Sequence, residues 1–280
     1  MAKEIEETKA LATQDPFAGV PALDDNDLND FASTGNMGDN DFEQTDITYG
    51  WLKIAQTNSQ VATKGHAKYI PGIEAGMYYD TLTNTIFGEK IKLIYLKFFR
   101  SYTEYKGKKG DGEFIRSLTR PQFKELLDAG EIVLVEGEGL KVPEFDDHFV
   151  QEYANWMVMV EDHPEVGILR YQVGMGSIRQ VKVWNTQIDT AVLPGGRPAP
   201  KWAYIWELEL ALDSDGNNHS YWNFGVGNKA NVKRLDIVLQ PLRSRVIKNF
   251  TFFQKTSVET VDNAGQKTYT DDSYESDEPV

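Results

Sequence analysis

The sequence predicts a mainly β fold with α additions: a curved antiparallel β-barrel or sheet with short helices, set between acidic, disordered ends. Three observations point there. Six or seven runs rich in β-branched and aromatic residues alternate, partly or cleanly, between apolar and polar, as strands with one buried face do. Turn signals rich in Gly, Pro and Asn separate them at short intervals. Only three segments carry helical apolar spacing, which suits a barrel or antiparallel sheet better than a doubly wound α/β fold.

Taken in order, residues 1–46 are rich in Asp, Asn, Gly, Ala and Thr, with isolated Phe17, Phe31 and Phe42 and no sustained period. They read as a disordered acidic leader. Order is expected from Ile47, and residues 47–258 are read as one β-rich domain. ITYGWLKIAQ (47–56) fits a strand or a short helix. MYYDTLTNTIFG (77–88) has a polar middle at Thr83-Asn84, as a hairpin turn requires. IKLIYLKFFRSYTEY (91–105) reads as a long strand and KGKKGDGE as a polar hairpin tip. Pro121–Ala129 reads as a short helix, with Thr119 as N-cap and Gly130 as C-cap. EYANWMVMVED (152–162) and VGILRYQVG (166–174) are further strands. SIRQVKVWNTQIDTAV (177–192) has apolar residues at 178, 181, 184, 188 and 192, a helical spacing that Ser177 could cap. WAYIWELELALD (202–213) and HSYWNFGVG (219–227) read as a hairpin around SDGNN. Residues 228–253 are predicted to be a helix broken or kinked at Pro241. Residues 259–280 form an acidic tail.

Hydrophobic residues make up 40% of the 280 and aromatics 12%, enough for a substantial core. No run approaches the roughly 18 apolar residues that span a bilayer, and MAKEIEETKA lacks the features of a secretory signal. The chain has no cysteine, which excludes disulfides, thiolate metal sites and cysteine nucleophiles and fits a cytoplasmic protein. The net charge of −14 is uneven: residues 1–46 carry −10 and residues 259–280 carry −6, so residues 47–258 carry +2. The acidity belongs to the ends, where blocks of like charge read as interaction tails.

No catalytic signature is present, so the chain is read as a non-enzyme without metal or cofactor. His66, His148, His163 and His219 are not paired at metal-ligand spacing. VGMGSIRQ (173–180) could offer helix amides to an anion, but a simple turn explains it better. Aromatics interleaved with bases carry more weight. Lys90 to Lys124 holds ten bases against three acids, with Tyr95, Phe98, Phe99, Tyr102, Tyr105 and Phe114 among them. A single nucleic-acid strand needs that mixture, because bases neutralise phosphates and ring faces stack nucleobases at about 1–3 kcal/mol each. Lys97, Arg100, Tyr102, Tyr105, Lys106, Lys108, Lys109 and Arg116 are the candidate first wall of a groove. Alternation must bury some neighbours: Tyr95 and Phe99 are expected inside, and Arg100, Tyr102 and the Lys106–Lys109 loop outside. Arg170, Arg179 and Lys182, in an acid-free stretch from Val166 to Ile188, are the candidate second wall. Trp202 is the tryptophan expected to be exposed. Lys229, Lys233, Arg234, Arg243, Arg245 and Lys248 stand against Asp236 alone in the last segment, where the solvated face of an amphipathic element is an equal reading. In the tail, Asp271, Asp272, Tyr274, Glu275, Asp277 and Glu278 are candidate partner-binding residues that could also compete for a basic groove.

LKIAQTNSQ, the Gly–Tyr–Gly spacing through KGHAKYIPGIEAGMYYD, TLTNTIFG and IKLIYLKFFRSYTEY, with SIRQVKVWNTQI and PKWAYIWELELAL, resemble bacteriophage proteins of replication and recombination over roughly residues 47–255. The acidic C-terminus resembles that of phage and bacterial single-stranded DNA-binding proteins. The resemblance implies an OB-like core, single-stranded DNA bound without base specificity, and a tail that meets replication or recombination proteins. The leader and the helical segments at 177–192 and 228–253 are additions to a minimal OB barrel. Two rivals remain: a protein-interaction or structural phage component without nucleic-acid affinity, and a metal-dependent nuclease. The nuclease would need converging carboxylates, for which Glu152, Glu161, Glu207 and Glu209 are the strand-borne candidates.

Overall fold

Residues Lys90 to Lys106 form one unbroken strand, and the rest of the sheet is built outward from it. The computed structural model describes residues 48–107, 112–174, 177–214, 220–227 and 229–255. The leader, the acidic tail with its six candidate residues, Lys108, Lys109 and His219 lie outside the described residues. The first elements are β1 (Gly50–Ile54), β2 (Tyr78–Asp80), β3 (Ile86–Gly88), β4 (Lys90–Lys106) and β5 (Glu113–Leu118). Then come α1 (Arg120–Asp128), β6 (Val133–Val135), β7 (Gly139–Lys141), β8 (His148–Val160), β9 (Ile168–Gly174) and α2 (Ile178–Asp189). The last are β10 (Tyr204–Glu209), β11 (Ala211–Ser214), β12 (Ser220–Asn223), β13 (Gly225–Val226), β14 (Lys229–Ala230), β15 (Val232–Ile237) and α3 (Leu242–Lys255).

Among the described residues the fold is mainly β with three short α-helices, and its principal sheet is curled like half a barrel. Strand order is β15-β10-β4-β8-β9-β1-β2-β3. β4 is too long for one neighbour: β10 pairs with its first five residues and β5 with its last five. All pairings in this sheet are antiparallel except β1 with β9, where Gly50 to Leu52 run parallel to Leu169 to Tyr171. That one pair departs from the antiparallel expectation. It arises because β1 enters the sheet beside a strand more than a hundred residues later, which no hairpin could place there.

Alternation sends side chains to two faces, and each is covered by a helix. On one face Leu93, Tyr95, Trp156, Val158, Tyr171 and Trp206 pack with Val181, Trp184 and Ile188 of α2. On the other Ile94, Leu96, Phe99, Met157 and Met159 pack with Val246 and Phe253 of α3. A bulge between Tyr95 and Lys97 shifts the phase of β4 against β8, so Phe98, Arg100, Tyr102 and Glu104 continue the first face.

α1 starts as read: Thr119 Oγ1 accepts from the Gln122 amide, the Gln122 side chain returns to the Thr119 amide, and Pro121 lies in the first turn. α2 also forms, but Ser177 does not cap it. Its hydroxyl instead accepts from Asn223 Nδ2 at 2.9 Å, tying the helix to β12.

The expectation for 228–253 is half wrong. Residues 229–237 are strands and the helix begins at Leu242, after Pro241. A bulge in the β10–β15 pairing explains the false helical spacing. It turns Val232 and Ile237 to one face and Leu235 and Val238 to the other, so the apolar positions no longer alternate. The residue before a proline is disfavoured in helical backbone, and Pro241 thereby stops α3 extending backward.

At Gly50 the chain passes against the buried Asp80 carboxylate, which accepts from the amides of Leu82 and Thr83 and from Thr83 Oγ1 and so shapes the β2–β3 turn. A Cβ at position 50 would sit 2.2 Å from Asp80 Oδ1 and 2.8 Å from Leu169 Cδ2. Gly50→Ala should therefore lower stability by about 2 kcal/mol, the scale of an overpacked core. A denaturation midpoint equal to the parent's would show that the turn yields without strain.

Candidate nucleic-acid interface

The strand register decides what each cation can do, and it disperses the predicted first wall. Lys97, on the α3 face, donates from Nζ to the Phe253 carbonyl at 2.8 Å, at the end of that helix. Arg100 lies on the opposite face in an ion pair with Glu152. Tyr102 is not exposed as expected. It is 6% exposed, and its ring stacks on Phe123 of α1 at 3.7 Å and 4°. The physical reason is that α1 and the β6–β7 hairpin cover this end of the sheet, forming a small core of Tyr102, Leu118, Ile132, Val142 and Val150. Tyr105 is half-buried, stacked on Phe149 and hydrogen-bonded to the Tyr153 hydroxyl at 3.0 Å. Arg116 reaches back with Nε to Glu104 at 2.7 Å, and the same buried carboxylate meets His148 Nδ1 at 2.7 Å. Lys106 is exposed. Tyr95 and Phe99 are buried, as read.

The second wall is divided too. Arg170, at 5% exposure, is a core residue. Its guanidinium lies 4.3 Å from the Trp51 ring and 5.2 Å from that of Phe99, and Nε donates to Asn155 Oδ1 at 2.9 Å. Arg179 and Lys182 are exposed on α2. Trp202 is half-buried against both core clusters.

A different surface emerges along β14, β15 and α3. Lys229, Lys233, Arg234, Arg243, Arg245, Lys248 and Lys255 are all exposed, and Asp236 is the one acid between positions 229 and 255. β15 is an edge of the sheet. α3 buries Val246 and Phe253 and half-buries Leu242 and Phe250. That apolar stripe leaves Arg245, Lys248, Phe252 and Lys255 on the opposite side of the helix. Among the described residues none of these seven cations is in an ion pair, whereas Lys90, Lys92, Arg100, Arg116 and Lys201 all are. The sequence shows the excess of bases here. What it does not show is that Lys97, Arg100, Arg116 and Arg170, four bases of the predicted walls, are already engaged.

An acidic corner bounds this surface. A groove of about 570 Å³ runs between Glu161 and Pro164 on one side and Asp236, Leu239 and Arg245 on the other. Beside it, Glu161 is held above the ordinary carboxylate range by its hydrogen bond with Asp162 and by burial. Asp162 is held below it by the same hydrogen bond and by the nearby Lys92 ammonium. The four carboxylates proposed for a nuclease are not brought together: Glu152 pairs with Arg100, Glu161 with Lys92 and Glu209 with Lys90, while Glu207 stands opposite Lys233 in the sheet. Among the described residues no three His, Asp or Glu side chains converge as a metal site would require. No helix among them is long and apolar enough to cross a membrane.

The model of one family, the Pam3 phage gp34-like proteins, matches residues 19–239. Neither a curated protein nor a solved structure matches the chain. The chain belongs to the Pam3 phage gp34-like family and is a phage protein.

Proposed function

We propose that this member of the Pam3 phage gp34-like family binds single-stranded DNA without base specificity, through the outer face of α3 and the edge strand β15. The observation that carries the reading is the set of seven exposed cations on that surface, none of them in an ion pair with a described residue. Unpaired cations release the counterions of a polyanion at no loss of existing salt bridges, and that release drives sequence-independent binding. The mixture of Arg with the exposed Phe252 suits unpaired bases, which present ring faces that a duplex hides. Lys106, the described residue among the three lysines of the predicted hairpin tip, belongs to a separate surface. Lys106 stands twelve residues along β4 from Ile94, where β10 pairs, or roughly 40 Å at about 3.3 Å per residue. Arg179 and Lys182 sit on α2, across the sheet from α3.

Residues 259–280, with a charge of −6, follow α3 in sequence. In this reading they compete for the basic face and, when DNA displaces them, meet replication or recombination proteins through Asp271, Asp272, Tyr274, Glu275, Asp277 and Glu278.

The test is a titration of intrinsic tryptophan fluorescence with oligothymidine and, separately, with duplex DNA, at several salt concentrations. Contacts from all these cations predict a slope of log affinity on log salt of roughly −5 for a single strand. Combined Lys229→Glu, Lys233→Glu and Lys248→Glu should weaken binding by at least about a hundredfold with an unchanged melting temperature. Truncation after Val258 should tighten it. An unchanged affinity in the charge-reversed protein would sink the surface assignment. No response from the parent or the truncated chain at low salt would favour the protein-interaction reading.

A further inference from the structure

Two of the seven cations differ from the other five. The Arg234 guanidinium carbon lies over the Tyr204 ring, 4.8 Å from its centroid, and that of Arg243 lies over Trp202 at 5.9 Å. The two rings stand two residues apart at the entry to β10, and both are fixed from below. Tyr204 is buried, and its hydroxyl donates to the Val192 carbonyl at 2.5 Å. Trp202 packs against both core clusters. Neither guanidinium donates a hydrogen bond to a described residue.

A guanidinium held against a ring loses much of its rotational freedom, but its N–H bonds lie in its own plane and are not used up by the contact with the ring. That is the geometry of a two-pronged donor waiting for an acceptor with two oxygens. Among the described residues Lys229, Lys233 and Lys248 have no such ring, and they supply charge alone. We propose that Arg234 on Tyr204 and Arg243 on Trp202 are a pair of phosphate clamps, each taking the two non-bridging oxygens of one phosphodiester. The proposal rests on the single-stranded DNA reading above. It adds that the surface recognises phosphate geometry at two fixed points, so that a flexible strand is held in register while its bases stay free to stack. Lysine cannot replace arginine at either point, because an ammonium offers no planar fork.

The experiment uses the full chain and a labelled oligothymidine, followed by fluorescence anisotropy. Arg234→Lys and Arg243→Lys keep every charge. Each should weaken binding about fivefold, the scale of one lost charge-assisted hydrogen bond, and leave the salt slope unchanged. Trp202→Leu, which removes the ring under Arg243 and leaves an apolar side chain against the two core clusters, should match Arg243→Lys in affinity. Lys248→Arg, at a position without a ring, should leave affinity within about twofold, since it too keeps the charge. Melting temperatures close to the parent's accompany the three Arg and Lys variants, and Trp202→Leu is compared at a temperature where it is fully folded. If both Arg→Lys proteins bind as the parent does while the triple charge reversal abolishes binding, the clamps are wrong and the DNA-binding reading stands. If the charge reversal also leaves binding intact, the reading falls and the clamps fall with it.

Discussion

Trp184→Ala should remove about 3–5 kcal/mol of stability, the range for deleting a large aromatic from a packed core. For a folded unit of this size that lowers the melting temperature by about 10 °C. Trp184 projects from the middle of α2 into the sheet and is fully buried. Its ring meets Trp156 at 4.7 Å and Phe224 at 6.2 Å, and these stack on or abut Tyr171. The helix has few polar ties to the sheet: Trp156 Nε1 donates to Asn185 Oδ1 at 3.0 Å, and Gln180 Nε2 to the Gly227 carbonyl at 2.8 Å. The ring therefore carries the attachment. Its indole N–H has no acceptor among the described residues, so Trp184→Phe gives a sharper test. Phenylalanine keeps much of the apolar contact and removes a buried donor whose desolvation costs about 1–3 kcal/mol. It should lose far less than alanine does. Equal losses for the two, measured by denaturant unfolding, would mean that the N–H is satisfied in solution and that the ring edge, not its bulk, holds the helix.

The elements that declare themselves in the sequence are those whose cause is local. β4 is legible because seventeen residues of β-branched and aromatic character run between two glycine-containing turns, and α1 because Thr119, Pro121 and Gln122 form a complete start signal. What escapes the sequence is set by distant partners. The β10–β15 bulge gives residues 232–238 a helix-like apolar spacing, and nothing before Pro241 reveals the strand that pairs with them. The candidate site is obscured for a related reason. Counting bases along β4 and its hairpin shows an excess of cations, but a count does not show that Arg100 faces Glu152 or that Arg116 faces Glu104, because those carboxylates arrive through strand pairing. Tyr102 looks exposed from alternation alone because α1, which follows the next strand, folds back over it. The surface on α3 and β15 is visible as a run of bases. Its distinction lies in a relation, the absence of acids paired with it from the neighbouring strands and helices, and relations of that kind are written in the fold.

The same core that hides its aromatics makes the protein sensitive to alkali. Burial raises Tyr95 from 10.0 to about 12, and it raises Tyr78, Tyr153 and Tyr171 as well. In the unfolded chain these hydroxyls ionise near the ordinary tyrosine value of about 10, while in the folded protein they keep their protons. Above that pH the unfolded state therefore binds fewer protons, and stability falls as pH rises. Tyr95 alone, with a rise of about two units, contributes about 3 kcal/mol that is present below about pH 10 and gone by about pH 12. The other three act in the same direction. The protein should thus unfold cooperatively between about pH 10 and 12. Tyrosinate absorbance and circular dichroism recorded together would show exposed tyrosines titrating first and the buried set ionising only as the sheet signal is lost. Tyr95→Phe should unfold at higher pH and with a shallower dependence, even though it gives up the Tyr95 hydrogen bond to the Phe98 backbone. Buried tyrosines that titrate at the ordinary value with the sheet signal intact would mean that water reaches the face under α2, and that the aromatic core is looser than its packing indicates.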